Sequence, residues 1–169
     1  MEKGYADAIL QTESISEIFQ LVQEMVSEST GKKRENIAIE MRDLGFLRNG
    51  FVGAYYNLAD NTITLNLSPL QAVFEQKREH FKWYLFHVLL YEYVHALGIV
   101  SEQKTRELTF QIIREYFKDT HVLARMAKNA YLPYAQQAPP RYVGFVFKEE
   151  DFKDFEFDIT FEITIAMNL

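Results

Sequence analysis

The stretch His87-Val88-Leu89-Leu90-Tyr91-Glu92-Tyr93-Val94-His95-Ala96-Leu97-Gly98 sets ionisable and phenolic side chains inside an otherwise apolar run. From Phe81 to Leu97 the apolar residues fall all round a helical projection, which predicts a helix buried on every side and ended at Gly98. Polar groups in such a helix need partners. Positions 91 and 95 lie one turn above another and can aim at one point, while Glu92 can reach a water held there. His87 stands two turns before His95, roughly 12 Å along the axis. That is too far for both imidazoles to bind one ion through bonds of about 2 Å.

Upstream, Ser68-Pro69 is a helix start, and the pattern reads as one long helical stretch running to Gly98. Before it, FVGAYYNLADNTITLNL (51–67) holds two β-prone runs separated by Asp60-Asn61, which predicts a hairpin. Ile37, Ile39 and Met41 alternate with polar neighbours, as in a half-buried strand. Residues 14–28 read as a helix: Ser14 and Glu17 have capping-box spacing, and Ile15, Ile18, Phe19, Val22, Met25 and Val26 recur at threes and fours. Downstream, Ser101 can cap a helix running to about Lys118. Residues 119–141, with Pro133, Pro139 and Pro140, read as irregular. At the end, Phe155, Phe157, Ile159, Phe161, Ile163 and Ile165 alternate with polar residues, and Tyr142–Phe147 is a plausible antiparallel partner.

With 169 residues, 48% of them apolar and 15% aromatic, the chain can bury a sizeable core. A formal charge of −6 argues against a nucleic-acid partner. The absence of cysteine removes disulfides, thiolate metal sites and a cysteine nucleophile. The N-terminus MEKGYADAIL has too short an apolar run for a signal peptide, and no window is long enough for a membrane span. A cytoplasmic location is the expectation.

Tyr91-Glu92-Tyr93-Val94-His95-Ala96-Leu97-Gly98 resembles the HE-x-x-H-A-L-G form of zinc peptidases at every position except Tyr91. In that motif two histidines bind Zn²⁺ and the glutamate is the general base. GAYYNLADNTITLN (53–66) is similar to the edge strand and following strand that precede the motif helix in small zincins. A second helix follows at once, as in the small archaeal and bacterial gluzincins, where it supplies a glutamate ligand. The resemblance covers roughly residues 14–126. It implies an α+β, zincin-like fold: a small twisted sheet packed on a buried motif helix and a following helix. The expected organisation is a zincin-like domain over 1–137, with a C-terminal β-hairpin over 138–169 packed on it.

On this resemblance the metal ligands are His95, Glu102 and Tyr91, and Glu92 is the catalytic base. Glu102 is chosen over Glu107 because, at 100° per residue, it falls on the helix face of Thr105, Leu108, Thr109, Ile112, Ile113 and Tyr116. His121 and Arg125, four apart, stand where similar peptidases place an oxyanion-stabilising group. Ala54, Tyr55 and Tyr56 line the substrate edge. Each of these has a plainer reading: His95 as a hydrogen-bonded core histidine, Tyr91 as a core aromatic, Glu92 as an ion-paired acid, Tyr55 and Tyr56 as packing. A phenol with a pKa near 10 must lose its proton to bind as an anion at pH 7. The expectation is therefore a metallopeptidase homologue with impaired catalysis and weak or absent zinc. The alternatives are an active zinc peptidase with altered ligands, or a non-enzymatic module that binds a peptide or protein or dimerises through its C-terminal strand.

Overall fold

The computed structural model describes residues 4–46 and 51–129. Its elements are α1 (Tyr5–Gln11), α2 (Ile15–Thr30), β1 (Ala38–Arg42), β2 (Ala54–Asn57), β3 (Thr62–Asn66), α3 (Leu67–Gln76), α4 (Phe81–Ala96), α5 (Glu102–Tyr116) and α6 (Val122–Asn129), an α+β set. The hairpin expected over 138–169, and any dimer through it, lie outside the described residues. No helix among the described residues is long and apolar enough to cross a membrane.

The start of α2 forms as its sequence predicts, with one shift. Ser14 Oγ accepts from the backbone N–H of Glu17 (3.2 Å), but the Glu17 carboxylate reaches back to the N–H of Glu13 (2.6 Å), one residue early for a capping box. Gly31, at φ 69°, closes the helix in the left-handed conformation that glycine adopts without penalty.

The sheet has the order β1-β3-β2, with β1 parallel and β2 antiparallel to β3. The expected hairpin pairs Tyr56 with Ile63 and Asn57 with Thr62. Its turn is held by Asn61, whose Oδ1 accepts from the Tyr56 hydroxyl (2.6 Å) and Arg34 Nε (3.0 Å). The Asn61 amide nitrogen donates to the carbonyls of Glu35 and Asn36, tying the turn to the approach of β1. Central β3 is buried throughout, whereas β2 is an edge strand among the described residues, with alternating exposure.

One long helix from Ser68 to Gly98 does not form. The chain breaks at Lys77 (φ −143°, ψ 61°) and passes through a 3₁₀ turn at Arg78–His80 before α4 begins. The break falls in the exposed run Glu75–Glu79, which separates two apolar segments that each bury on their own. Two helices were not foreseen. α1 places Tyr5 and Ile9 in the core. α6 occupies part of the segment read as irregular, because Leu123, Ala124, Met126 and Ala127 form a buried face on eight residues.

α4 is the central element, touching α1, α2, α3, α5, α6 and β2. Leu85, Phe86, Leu89, Leu90, Tyr93 and Val94 are fully buried, so the apolar surround read in the sequence is the true environment of this helix. Tyr93 is structural: its hydroxyl accepts from the Arg34 backbone N–H (2.9 Å), and its ring meets Phe19 edge-on.

Candidate functional site

A cleft of about 600 Å³ opens between the last turns of α4, the edge strand β2 with its lead-in from Phe51, and the start of α5. Tyr91, Glu92, His95, Glu102, Ala54, Tyr55 and Tyr56 all line it. Seven of the nine residues selected from the sequence are therefore brought together.

His95 sits in the last turn of α4. Gly98, at φ 100°, reverses the chain so that the carbonyl of Ile99 returns to the ring, and His95 Nδ1 meets that oxygen at 2.7 Å. A carbonyl acceptor places the proton on Nδ1 and leaves Nε2 facing the cleft, the orientation that metal-ligating histidines share. Thr105 Oγ1, bonded to the Ser101 carbonyl (2.8 Å), packs beside the same nitrogen at 3.3 Å.

Glu102 is the first residue of α5, whose N-terminus is capped by Ser101 Oγ accepting from the Lys104 N–H (3.3 Å). One carboxylate oxygen lies 3.1 Å from His95 Nε2, an ion pair whenever the ring is protonated. The other oxygen accepts a short hydrogen bond from the Tyr91 hydroxyl. The rings of Tyr91 and His95 stand nearly perpendicular, with centroids 5.2 Å apart. Burial, reinforced by the bond to Glu102, pushes the Tyr91 phenol above its ordinary pKa and keeps it protonated.

Glu92 is buried behind this cluster. Burial raises its carboxyl to about 8; the charge of Glu102 pushes the same way, and a backbone interaction with Tyr56 partly offsets both.

No protein-family model, curated protein or solved structure matches the chain. The site is therefore judged on its donors. The separation of His95 Nε2 and Glu102 suits two ligands of one ion, since ligands on a tetrahedral zinc lie roughly 3.3 Å apart. The third donor does not fit. The Tyr91 hydroxyl donates to Glu102 and would have to give up that proton to bind as a phenolate, and a zinc site needs at least three protein ligands. Among the described residues no group of three or more His, Asp or Glu could hold a metal.

His121 and Arg125 do not reach the cleft. The His121 ring packs on Trp83 and Phe117, each with centroids 4.7 Å away, and its Nδ1 accepts from the Leu123 N–H (3.1 Å) at the start of α6. Trp83 is in the first turn of α4, roughly 18 Å along the helix from His95. Two cleft residues escaped the sequence reading. Arg106 follows Glu102 by one turn of α5 and lines the wall, so helix phase carried a signal for it. His87, too distant along the helix to share an ion with His95, lines the cleft one turn before Tyr91.

Proposed function

We propose that this chain is a zincin-like metallopeptidase homologue with impaired hydrolysis, whose cleft holds an extended peptide against the edge strand β2. One observation carries the reading: the hydroxyl of Tyr91, at the position of the missing histidine, is hydrogen-bonded to Glu102, which also meets His95. The two groups best suited to bind metal are thus engaged with each other and with a protonated phenol. β2 supports the peptide half, since among the described residues it is a sheet edge lying along the cleft, and an extended chain can add to such an edge by backbone hydrogen bonds.

The runner-up, an active zinc peptidase with an altered ligand set, draws on the metal-ready spacing of His95 and Glu102. Zinc titration with elemental analysis, on the wild type and on Tyr91→His, separates the two. The expected result is weak zinc in the wild type and a gain of at least about tenfold in Tyr91→His, which restores an imidazole four residues before His95. Tight stoichiometric zinc in the wild type would establish the runner-up. No gain in Tyr91→His would reject descent from a metal site.

A further inference from the structure

His87 is the buried group that the cluster at Glu102 leaves unused. Its side chain is 6% exposed, its Nδ1 is sealed from solvent without a partner, and the ring makes no hydrogen bond among the described residues. It nonetheless lines the cleft. An orphaned polar atom costs about 1–3 kcal/mol, which an apolar side chain at this position would avoid. Such side chains fill most of the buried positions of α4.

The inner end of the cleft is narrow here. A Cβ on Gly53 would press on the Tyr84 hydroxyl oxygen at 3.0 Å and touch Val88 Cγ1 at 3.4 Å, so the lead-in to β2 packs closely on α4 here. The walls beside His87 are Phe51, Tyr84, Val88 and Tyr91. The mouth is apolar as well. Val52, Tyr55, Leu58 and Val100, exposed at between 37% and 89%, all border the cleft; the other two large apolar side chains exposed on the described surface do not. An apolar mouth and aromatic walls leading to one unpartnered imidazole suit an apolar ring that carries a single polar group.

We propose that the inner end of the cleft is a subsite for a phenol of the tyrosyl kind, held by a hydrogen bond to His87. Because Nδ1 is sealed from solvent, a ligand in the cleft meets Nε2; a neutral imidazole offers either an N–H or a lone pair there, and a hydroxyl, which both donates and accepts, pairs with either. The phenol ring packs against the aromatic walls with offset or edge-on geometry. The subsite deepens the peptide-holding reading and rests on it for the peptide, but not on the question of zinc.

The test compares p-cresol with toluene, which share a shape and differ by the hydroxyl, titrated into the full chain and followed by two-dimensional NMR. The ratio of p-cresol to toluene affinity should fall about tenfold in His87→Leu, the worth of one hydrogen bond to a buried group. His87→Gln, which keeps a hydrogen-bonding group, should recover part of that ratio. In the wild type, p-cresol should move the His87 ring nitrogens and the amides of Ala54–Tyr56, while toluene moves the amides alone. An unchanged ratio in His87→Leu, no saturable binding of either probe, or shifts away from the cleft would overturn the proposal. Should His87→Leu fail to fold, a wild-type imidazole signal indifferent to p-cresol overturns it equally. If p-cresol binds as expected but extended tyrosine-containing peptides do not, the subsite stands and the peptide reading falls.

Discussion

All four hydrogen-bonding positions of the Asn66 side chain are taken: Oδ1 accepts from the N–H groups of Leu44 and Ser68, and Nδ2 donates to the carbonyls of Gly45 and Val52. The residue is buried at the end of β3, where it caps α3 and ties down the segments on either side of the sheet, including the lead-in that walls the cleft. Asn66→Ala should destabilise by on the order of 3 kcal/mol, because several backbone groups lose partners where water reaches them poorly. Asn66→Asp should be no milder despite its shape, since a carboxylate would face two carbonyl oxygens. Urea unfolding of the three proteins decides this, and a loss under about 1 kcal/mol in either variant refutes it. At this scale the sequence was informative about His95 and Glu102, whose pairing follows from motif spacing and helix phase. It was silent about Asn66, because nothing in an Asn-Leu-Ser-Pro string says that three distant backbone groups will converge on the amide beside the local cap at Ser68.

The end of α4 depends on Gly98. At φ 100° a side chain is strained, although a Cβ would find open space. Gly98→Ala should therefore cost about 1–2 kcal/mol through the backbone alone. The same turn delivers the Ile99 carbonyl to His95 Nδ1, so the variant should also free that ring, visible as a change in its ¹⁵N resonances. Unaltered stability together with unaltered resonances would mean that the turn does not orient the histidine. Helix starts at Ser14 and Ser101, the stop at Gly98 and the 54–66 hairpin were legible because caps, glycines and turn residues act within a few positions of themselves. The break at Lys77 and the short helices α1 and α6 were not. Helices of seven and eight residues are unstable alone and exist here through the faces they bury.

Two buried groups on α4 oppose one another in the stability of the whole molecule. Burial holds His87 down to about 4, so between about 6.5 and 4 the unfolded chain takes up a proton that the folded one refuses, and stability is lost as pH falls. His80 and His121, also lowered by burial, act in the same sense. Burial raises Glu92 to about 8, so its contribution is full below about 4.5 and is lost as pH rises through 8. Between pH 4.5 and 6.5 the slopes of Glu92 and His87 offset each other, and above 6.5 Glu92 acts alone. Unfolding free energy should drop by up to about 2 kcal/mol from pH 6.5 to 8, at about 1.4 kcal/mol per unit. Glu92→Gln should abolish that drop and expose the histidine slope below pH 6.5. A wild-type stability that is level or rising from pH 6.5 to 8 contradicts this account.

The helix–hairpin–helix order, the buried character of α4 and the convergence of positions 91, 95 and 102 were determined by the sequence itself, through periodicity, capping and a motif whose spacing matches one helical turn. Only the tertiary structure decided what those residues do on arrival. It turned the Tyr91 hydroxyl onto Glu102, carried His121 and Arg125 to the far end of α4, and left His87 Nδ1 without a partner among the described residues. The physical reason is range. Helix phase and caps act over three or four residues, whereas the partner a polar side chain finds depends on which remote elements pack beside it and how much water they exclude.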